Sequence, residues 1–183
     1  FGSSIFIDEG ATLTLTSSEI VVSDADDNLT DVSIAISNLS STLSIQIAGS
    51  PVTSFTAQQL TDGDVKLVHD GSEAVTALFD LTVEDGNEDS STPIAETLFA
   101  TVTPINDAPS INTATGTTVL ENSGNTSTSV GSVTATDVDG PSLTYSITNG
   151  NASGFFTIAP STGNITLTTA GAVEVNQDNL VTT

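Results

Sequence analysis

The chain has 183 residues and a formal net charge of −22, because 23 Asp and Glu residues stand against a single Lys. This charge excludes nucleic acid as a partner, since phosphate binding needs cationic side chains, and it disfavours anionic lipid surfaces. Cysteine is absent, which excludes disulfides and thiol nucleophiles, and no apolar run approaches the roughly 20 residues that span a bilayer.

The first half of the chain has the sequence pattern of short strands. Alternating apolar and polar residues, or a composition rich in β-branched residues, predict strands; the segments are 12–16, 32–36, 43–47, 77–83 and 98–102. Only residues 56–61 look helical, and they are enough for one turn.

The second half continues the same pattern. Its predicted strands are 130–136, 143–147, 155–158 and 165–168. Turn-forming pairs separate the strands in both halves; they are Asp70-Gly71, Asp85-Gly86, Asn149-Gly150 and Gly163-Asn164. Many short strands without long helices predict an all-β fold of antiparallel sandwiches.

The two halves repeat one another. A Glu precedes an Asp-x-Asp motif by 15 residues in the first half, Glu9 to Asp24, and by 16 in the second, Glu121 to Asp137. Near-equal spacings of this kind are typical of tandem repeats. The net charge changes from −17 over residues 1–107 to −5 over residues 108–183. We therefore predict two domains with these bounds, joined by a short, stiff, proline-flanked linker.

The acidic residues are clustered at segment ends, where they are candidate ligands of a divalent cation. Calcium takes about 6 to 8 oxygen ligands, so an Asp-x-Asp pair needs further oxygens from elsewhere in the chain. The candidates are Glu9, Asp24, Asp26, Asp70, Glu73, Asp85, Asn106, Asp107, Asp137 and Asp139. The alternative is that these carboxylates only solvate the surface and prevent association.

The motifs resemble those of cadherin-like repeats over nearly the whole chain. Residues 121–122, 130–140, 143–147 and 154–165 resemble a cadherin repeat. The first half resembles the chondroitin-sulfate-proteoglycan type of repeat in three runs: Phe55–Leu60, His69–Glu73 and Val83–Gly86. Residues 104–109 resemble the calcium-binding linker of both types. The resemblance implies two tandem Greek-key β-sandwiches.

The resemblance also implies how the ligands are grouped. One interdomain Ca²⁺ site would combine residues of the first domain, the linker and the second domain. These residues are Glu9, Asp70, Glu73, Asp85, Asn106, Asp107, Asp137, Asp139 and Asn149. Asp24 and Asp26 would face a preceding domain, and Glu121 a following one.

The implied function is a calcium-rigidified extracellular spacer. Acidic, cysteine-free arrays of this kind are similar to the extender regions of large bacterial repeats-in-toxin-type adhesins, which leave the cell by type I secretion and act in biofilms. The partners would be neighbouring repeats of the same chain. Two alternatives remain: a homophilic or carbohydrate-binding adhesion module, and an accessory domain of a secreted polysaccharide-degrading enzyme.

No catalytic site is expected in the chain itself. His69 is the only histidine and has no paired nucleophile, so we interpret it as a packed or turn residue. A further expectation concerns length: Asp24 lies 83 residues before Asp107, and the same step from Asp137 would reach position 220, beyond residue 183. We therefore expect the second domain to lack its last strands and to expose unpaired strand edges.

Overall fold

A computed structural model describes residues 5–24, 27–86 and 93–177. The chain divides into two compact units, residues 1–105 and 106–183. Both are built from β-sheet with little helix, which confirms the predicted all-β fold and its two tandem domains.

The first unit is a sandwich of two β-sheets with one short helix. Its elements in chain order are β1 Ile5–Asp8, β2 Thr12–Thr14, β3 Ser33–Ser37, β4 Leu43–Ile47, β5 Ser50–Pro51, β6 Ser54–Thr56, α1 Ala57–Thr61, β7 Val65–His69, β8 Thr76–Glu84 and β9 Ile94–Thr103. One sheet has the order β1-β9-β8-β3-β6 and the other β2-β7-β4-β5. Strand β1 runs parallel to β9, whereas the other described pairs are antiparallel.

The core of the first unit lies between the two sheets. Alternate residues of each strand point inward, so that Ile34 and Phe79 of one sheet and Ile45 and Leu67 of the other belong to one buried cluster. Complete burial of such a side chain stabilises a fold by about 1.5–3 kcal/mol. The sandwich therefore gives the loops at both ends of its strands a rigid support.

The predicted helical turn is confirmed as α1. Thr56 accepts a hydrogen bond from Gln59 N, and the Gln59 side chain accepts one from Thr56 N, which forms a capping box. Strands β1 and β7 were not predicted, although both alternate buried and less buried residues. Each is short, and only a partner strand distinguishes such a segment from an extended loop.

The second unit contains one four-stranded antiparallel sheet in its described residues. Its elements are β10 Ser110–Gly116, β11 Ser129–Thr136, β12 Phe156–Ile158, β13 Asn164–Leu167 and α2 Thr169–Val175. The strand order is β10-β11-β13-β12. Helix α2 begins directly after β13, where the Thr168 hydroxyl accepts a hydrogen bond from Gly171 N. That the second domain lacks further strands stays a prediction.

The predicted strand at 143–147 is wrong, because the structure has no strand there. The segment is fixed through Tyr145, whose N–H donates to Pro160 O over 2.9 Å and whose hydroxyl accepts from Ala135 N over 3.1 Å. A side-chain oxygen thus takes a place that a strand would fill with a backbone carbonyl. The alternation of the sequence agrees with the alternating burial of residues 143–147, but it does not specify a partner strand.

Candidate metal centres

Glu9 lies at the end of the first unit where β1 and β9 both terminate, because these strands are parallel. Its N–H donates to Thr103 O over 2.9 Å, and its Oε2 accepts from Ile105 N over 3.0 Å. The other oxygen, Oε1, is buried, and no hydrogen bond reaches it from the described residues. A buried carboxylate oxygen without a donor is unfavourable unless a cation meets it.

Asp70 and Glu73 lie in the loop that follows β7. The Asp70 N–H donates to Thr42 O, and Asp70 Oδ1 accepts from Ser72 N over 3.0 Å. Ser72, through its side chain and its backbone N–H, lowers the pKa of the Asp70 carboxyl below its ordinary value. Glu73 brings a carboxylate oxygen within 4.8 Å of one from Glu9. We call these two residues the Glu9–Glu73 pair.

The second unit assembles its own oxygen donors around the Asp-x-Asp motif. Asp137 and Asp139 follow β11, and Asp139 N donates to Asp137 Oδ1 over 3.0 Å. Asp139 Oδ2 in turn accepts from Asp107 N over 2.6 Å, and Asn106 Nδ2 donates to Asp107 O over 2.6 Å. The structure therefore brings together four residues that the sequence had proposed as ligands, here called the Asp107–Asp139 group.

A further cluster in the first unit consists of Asp24, Asp27 and Asp85. All three side chains are half-buried, and one carboxylate oxygen of each lies within 4.8 Å of the others. Asp24 Oδ1 also accepts from Asp27 N over 2.8 Å. Asp26, the predicted partner of Asp24, lies outside the described residues.

The position of Asp85 corrects its predicted grouping with Glu9. Asp85 follows β8, which is antiparallel to β9, whereas Glu9 follows β1, which is parallel to β9. The two carboxylates therefore lie at opposite ends of the same sheet. Asp27 was not among the predicted ligands. It directly follows Asp26, and the three carboxylates within residues 24–27 could have indicated it.

Two other predicted residues lie in exposed turns of the second unit. Asn149 Oδ1 accepts a hydrogen bond from Gly150 N over 2.8 Å, beside an open groove lined by residues 147–153 and 155–156. Glu121 is exposed in the turn that follows β10. The metal-binding roles of both residues stay predictions.

The oxygen atoms that all three clusters offer as ligands suit a hard cation. Carboxylate, amide and backbone oxygens are the ligands that calcium prefers, at about 2.3–2.6 Å and in sets of about 6 to 8. The residues fit such an ion, and the buried Oε1 of Glu9, which has no hydrogen-bond partner within the described part of the chain, supports that fit.

The chain belongs to the cadherin-like family. A family model described as cadherin-like matches residues 3–101, which is more than half of the chain, and the cadherin domain model matches residues 115–180. No curated protein sequence matches the chain.

Three solved cadherin structures are similar to the chain. Drosophila N-cadherin EC1-4 has 14% identity and a TM-score of 0.49, over 90% of this chain and 39% of that one. The human desmocollin-1 ectodomain has 23% identity and a TM-score of 0.34, over 91% and 31%. Chicken VE-cadherin EC1-2 has 19% identity and a TM-score of 0.37, over 93% and 81%. The chain thus spans well under half the length of the first two, and the family assignment rests on the family models.

Cadherin-like domains are typically calcium-dependent adhesion or extracellular modules, and cadherin domains are non-enzymatic adhesion modules. Cadherins associate homophilically and through neighbouring repeats. Neither of the helices in the described part of the chain has the length and apolar character needed to cross a bilayer.

Proposed function

We propose that the chain is a calcium-dependent spacer of an extracellular adhesin, stiffened at the linker between its two domains. The observation that carries the proposal is the state of the Glu9 carboxylate. Its Oε2 accepts a hydrogen bond from Ile105 N, just after the end of β9, whereas its Oε1 is buried and has no hydrogen-bond partner among the described residues. A second carboxylate, from Glu73, lies within 4.8 Å. Two anionic groups this close repel each other unless a cation offsets their charge.

The linker is the part of the chain on which such an ion would act. Ile105 N–H is bonded to Glu9 in the first unit, and Asp107 N–H is bonded to Asp139 in the second. Only Asn106 separates these two anchored positions in the sequence. Shared oxygen ligation at the linker would therefore restrict few backbone dihedrals and cost little conformational entropy.

The Glu9–Glu73 pair and the Asp107–Asp139 group are the proposed ligands at this linker. A calcium ion bound at the linker would supply the positive charge that offsets these carboxylates. Asp24, Asp27 and Asp85 form a second proposed site at the opposite end of the first domain, and Asp26, Asn149 and Asp70 are proposed as additional ligands.

The setting that suits this chemistry is outside the cell. Extracellular calcium modules bind with dissociation constants of about 10⁻⁴ to 10⁻³ M, so such sites fill outside a cell and empty in cytosol. A chain with a net charge of −22 would stay pliant until export. This behaviour fits a bacterial repeats-in-toxin-type adhesin that is secreted by the type I route and supports a biofilm.

Calcium titration of paired variants tests the proposal. In the parent, calcium at about 100 times the dissociation constant of a site should raise the free energy of unfolding by about 2.7 kcal/mol for that site. The double variant Glu9→Gln, Glu73→Gln should lose the gain that comes from the linker site and keep the gain from the second proposed site. The control Asp64→Asn, Glu96→Gln removes the same charge from exposed positions and should keep both gains. Equal calcium stabilisation of the two double variants would contradict the proposal.

A further inference from the structure

We infer that His69 is a positioning residue, which fixes the two acidic turns of the first domain against each other through one ring nitrogen. The turns are Asp8–Ala11, which carries Glu9, and Asp70–Glu73, which carries Glu73. The part of this inference that concerns calcium rests on the proposed function, whereas the part that concerns the two turns holds for the metal-free chain.

His69 is the last residue of β7, and its side chain is only 2% exposed. Its Nδ1 accepts hydrogen bonds from Gly10 N and from Gly71 N, each over 3.3 Å. Gly10 directly follows Glu9, and Gly71 lies between Asp70 and Glu73 in the sequence. A single acceptor atom therefore joins the two turns.

The backbone conformation of the two turns directs both N–H groups toward His69 Nδ1. Gly10 and Gly71 have φ of +65° and +82°, a conformation that side-chain-bearing residues rarely adopt. A Cβ on Gly10 would lie 3.8 Å from Gly71 Cα, so the two turns are close to backbone contact. Without this nitrogen, each of the two N–H groups would need a separate acceptor in the protein or in water.

The two hydrogen bonds also fix the tautomer of His69. Because Nδ1 accepts, the ring proton of the neutral imidazole lies on Nε2. Nε2 is buried, and it has no hydrogen-bond partner among the described residues. A buried donor without a partner is unfavourable, so an apolar side chain would fill the space better. What histidine adds at this position is the acceptor at Nδ1.

This acceptor opposes the repulsion between the carboxylates that the turns carry. Oxygens of Glu9 and Glu73 lie within 4.8 Å of each other, and in the metal-free chain their charges push the turns apart. The shared nitrogen keeps the turns at a fixed spacing before any ion arrives. A preorganised pair of carboxylates binds calcium more tightly, because binding then costs less conformational entropy.

Three variants of the full chain separate positioning from simple core packing. His69→Asn keeps an acceptor, since the Asn Oδ1 is attached to Cγ as Nδ1 is. His69→Leu fills the space and removes the acceptor. Leu67→Ala serves as the matched control, because it removes a fully buried side chain from the same strand and leaves the His69 hydrogen bonds in place.

Amide hydrogen exchange in chelator decides the positioning role without metal. The amides of Gly10 and Gly71 should exchange at least tenfold faster in His69→Leu than in the parent, when compared with core amides of the same variant. In His69→Asn and Leu67→Ala, this ratio should stay within about threefold of the parent. Unchanged relative protection of both glycines in His69→Leu would overturn the inference.

Calcium affinity, measured by isothermal titration of the folded variants, tests the consequence. His69→Leu should bind at least tenfold more weakly than the parent, and His69→Asn should restore most of the affinity. If Leu67→Ala weakens binding as much as His69→Leu does, His69 acts only through stability and the inference is overturned. If the parent binds no calcium, the proposed function fails, and hydrogen exchange alone decides the role of His69.

Discussion

At the scale of single residues, local hydrogen bonds set the properties of the carboxylates. Asp80 lies on the outer face of β8, where its carboxylate accepts from the side chains of Thr97 and Asn38. These two bonds lower the pKa of Asp80 below its ordinary value, because they favour the ionised form. A chain that is almost purely anionic thus stabilises some of its charges with neutral donors, since it has only one Lys.

The lowered pKa of Asp80 predicts a change in stability at acid pH. A carboxylate whose pKa is depressed on folding stabilises the fold above its unfolded pKa of about 3.9, and this contribution is lost as the pH falls through the folded pKa. The unfolding free energy of the parent, relative to Asp80→Asn, should therefore decrease below about pH 4. Chemical denaturation in chelator measures this difference, and a constant difference from pH 7 to 3 would contradict the assignment.

Some of the carboxylates that the structure brings together could be grouped from the sequence because they are close in the chain. Asp137 and Asp139 are two residues apart, and one hydrogen bond joins them. The error in grouping Asp85 has a physical cause: the end of the sheet at which a strand terminates depends on strand order, which no local pattern contains. His69 was correctly interpreted as packed, but the two turns that it joins come from β1 and β7, which were not predicted.

At the scale of elements, the alternation of each strand decides which residues form the core. β8 and β9 are antiparallel neighbours, and each carries a phenylalanine on a different face. Phe79 on β8 is fully buried, whereas Phe99 on β9 is 63% exposed. The sequence predicted these strands because this alternation is visible locally, whereas residues 143–147 show the same pattern and form no strand.

The two phenylalanines give a matched prediction about stability. Phe79→Ala should destabilise the first domain by about 3–5 kcal/mol, because it leaves a cavity between the sheets. Phe99→Ala removes the same atoms from an exposed face and should change the unfolding free energy by less than about 0.5 kcal/mol. Urea denaturation of both variants provides the comparison. Equal destabilisation would contradict the assigned inner and outer faces.

At the scale of the whole molecule, the feature of interest is the repulsion between the acidic groups of the two domains and the linker that joins them. Two domains carry a net charge of −22, and monovalent salt screens such repulsion over about 8–10 Å at physiological strength without fixing any geometry. The N–H groups of Ile105 and Asp107, on either side of Asn106, are each hydrogen-bonded to a carboxylate of their own domain. A cation bound at the proposed linker site would fix a local geometry, which screening by salt does not do.

Small-angle X-ray scattering of the full chain in calcium and in chelator tests the central claim most directly. Calcium should lengthen the particle and reduce its flexibility, with no dependence on protein concentration, since a homophilic module would also self-associate. The variant Asp107→Asn, Asp137→Asn should scatter in calcium as the parent does in chelator. Identical scattering of the parent in both conditions, at calcium concentrations well above 10⁻³ M, the upper end of the range of about 10⁻⁴ to 10⁻³ M, would contradict the account.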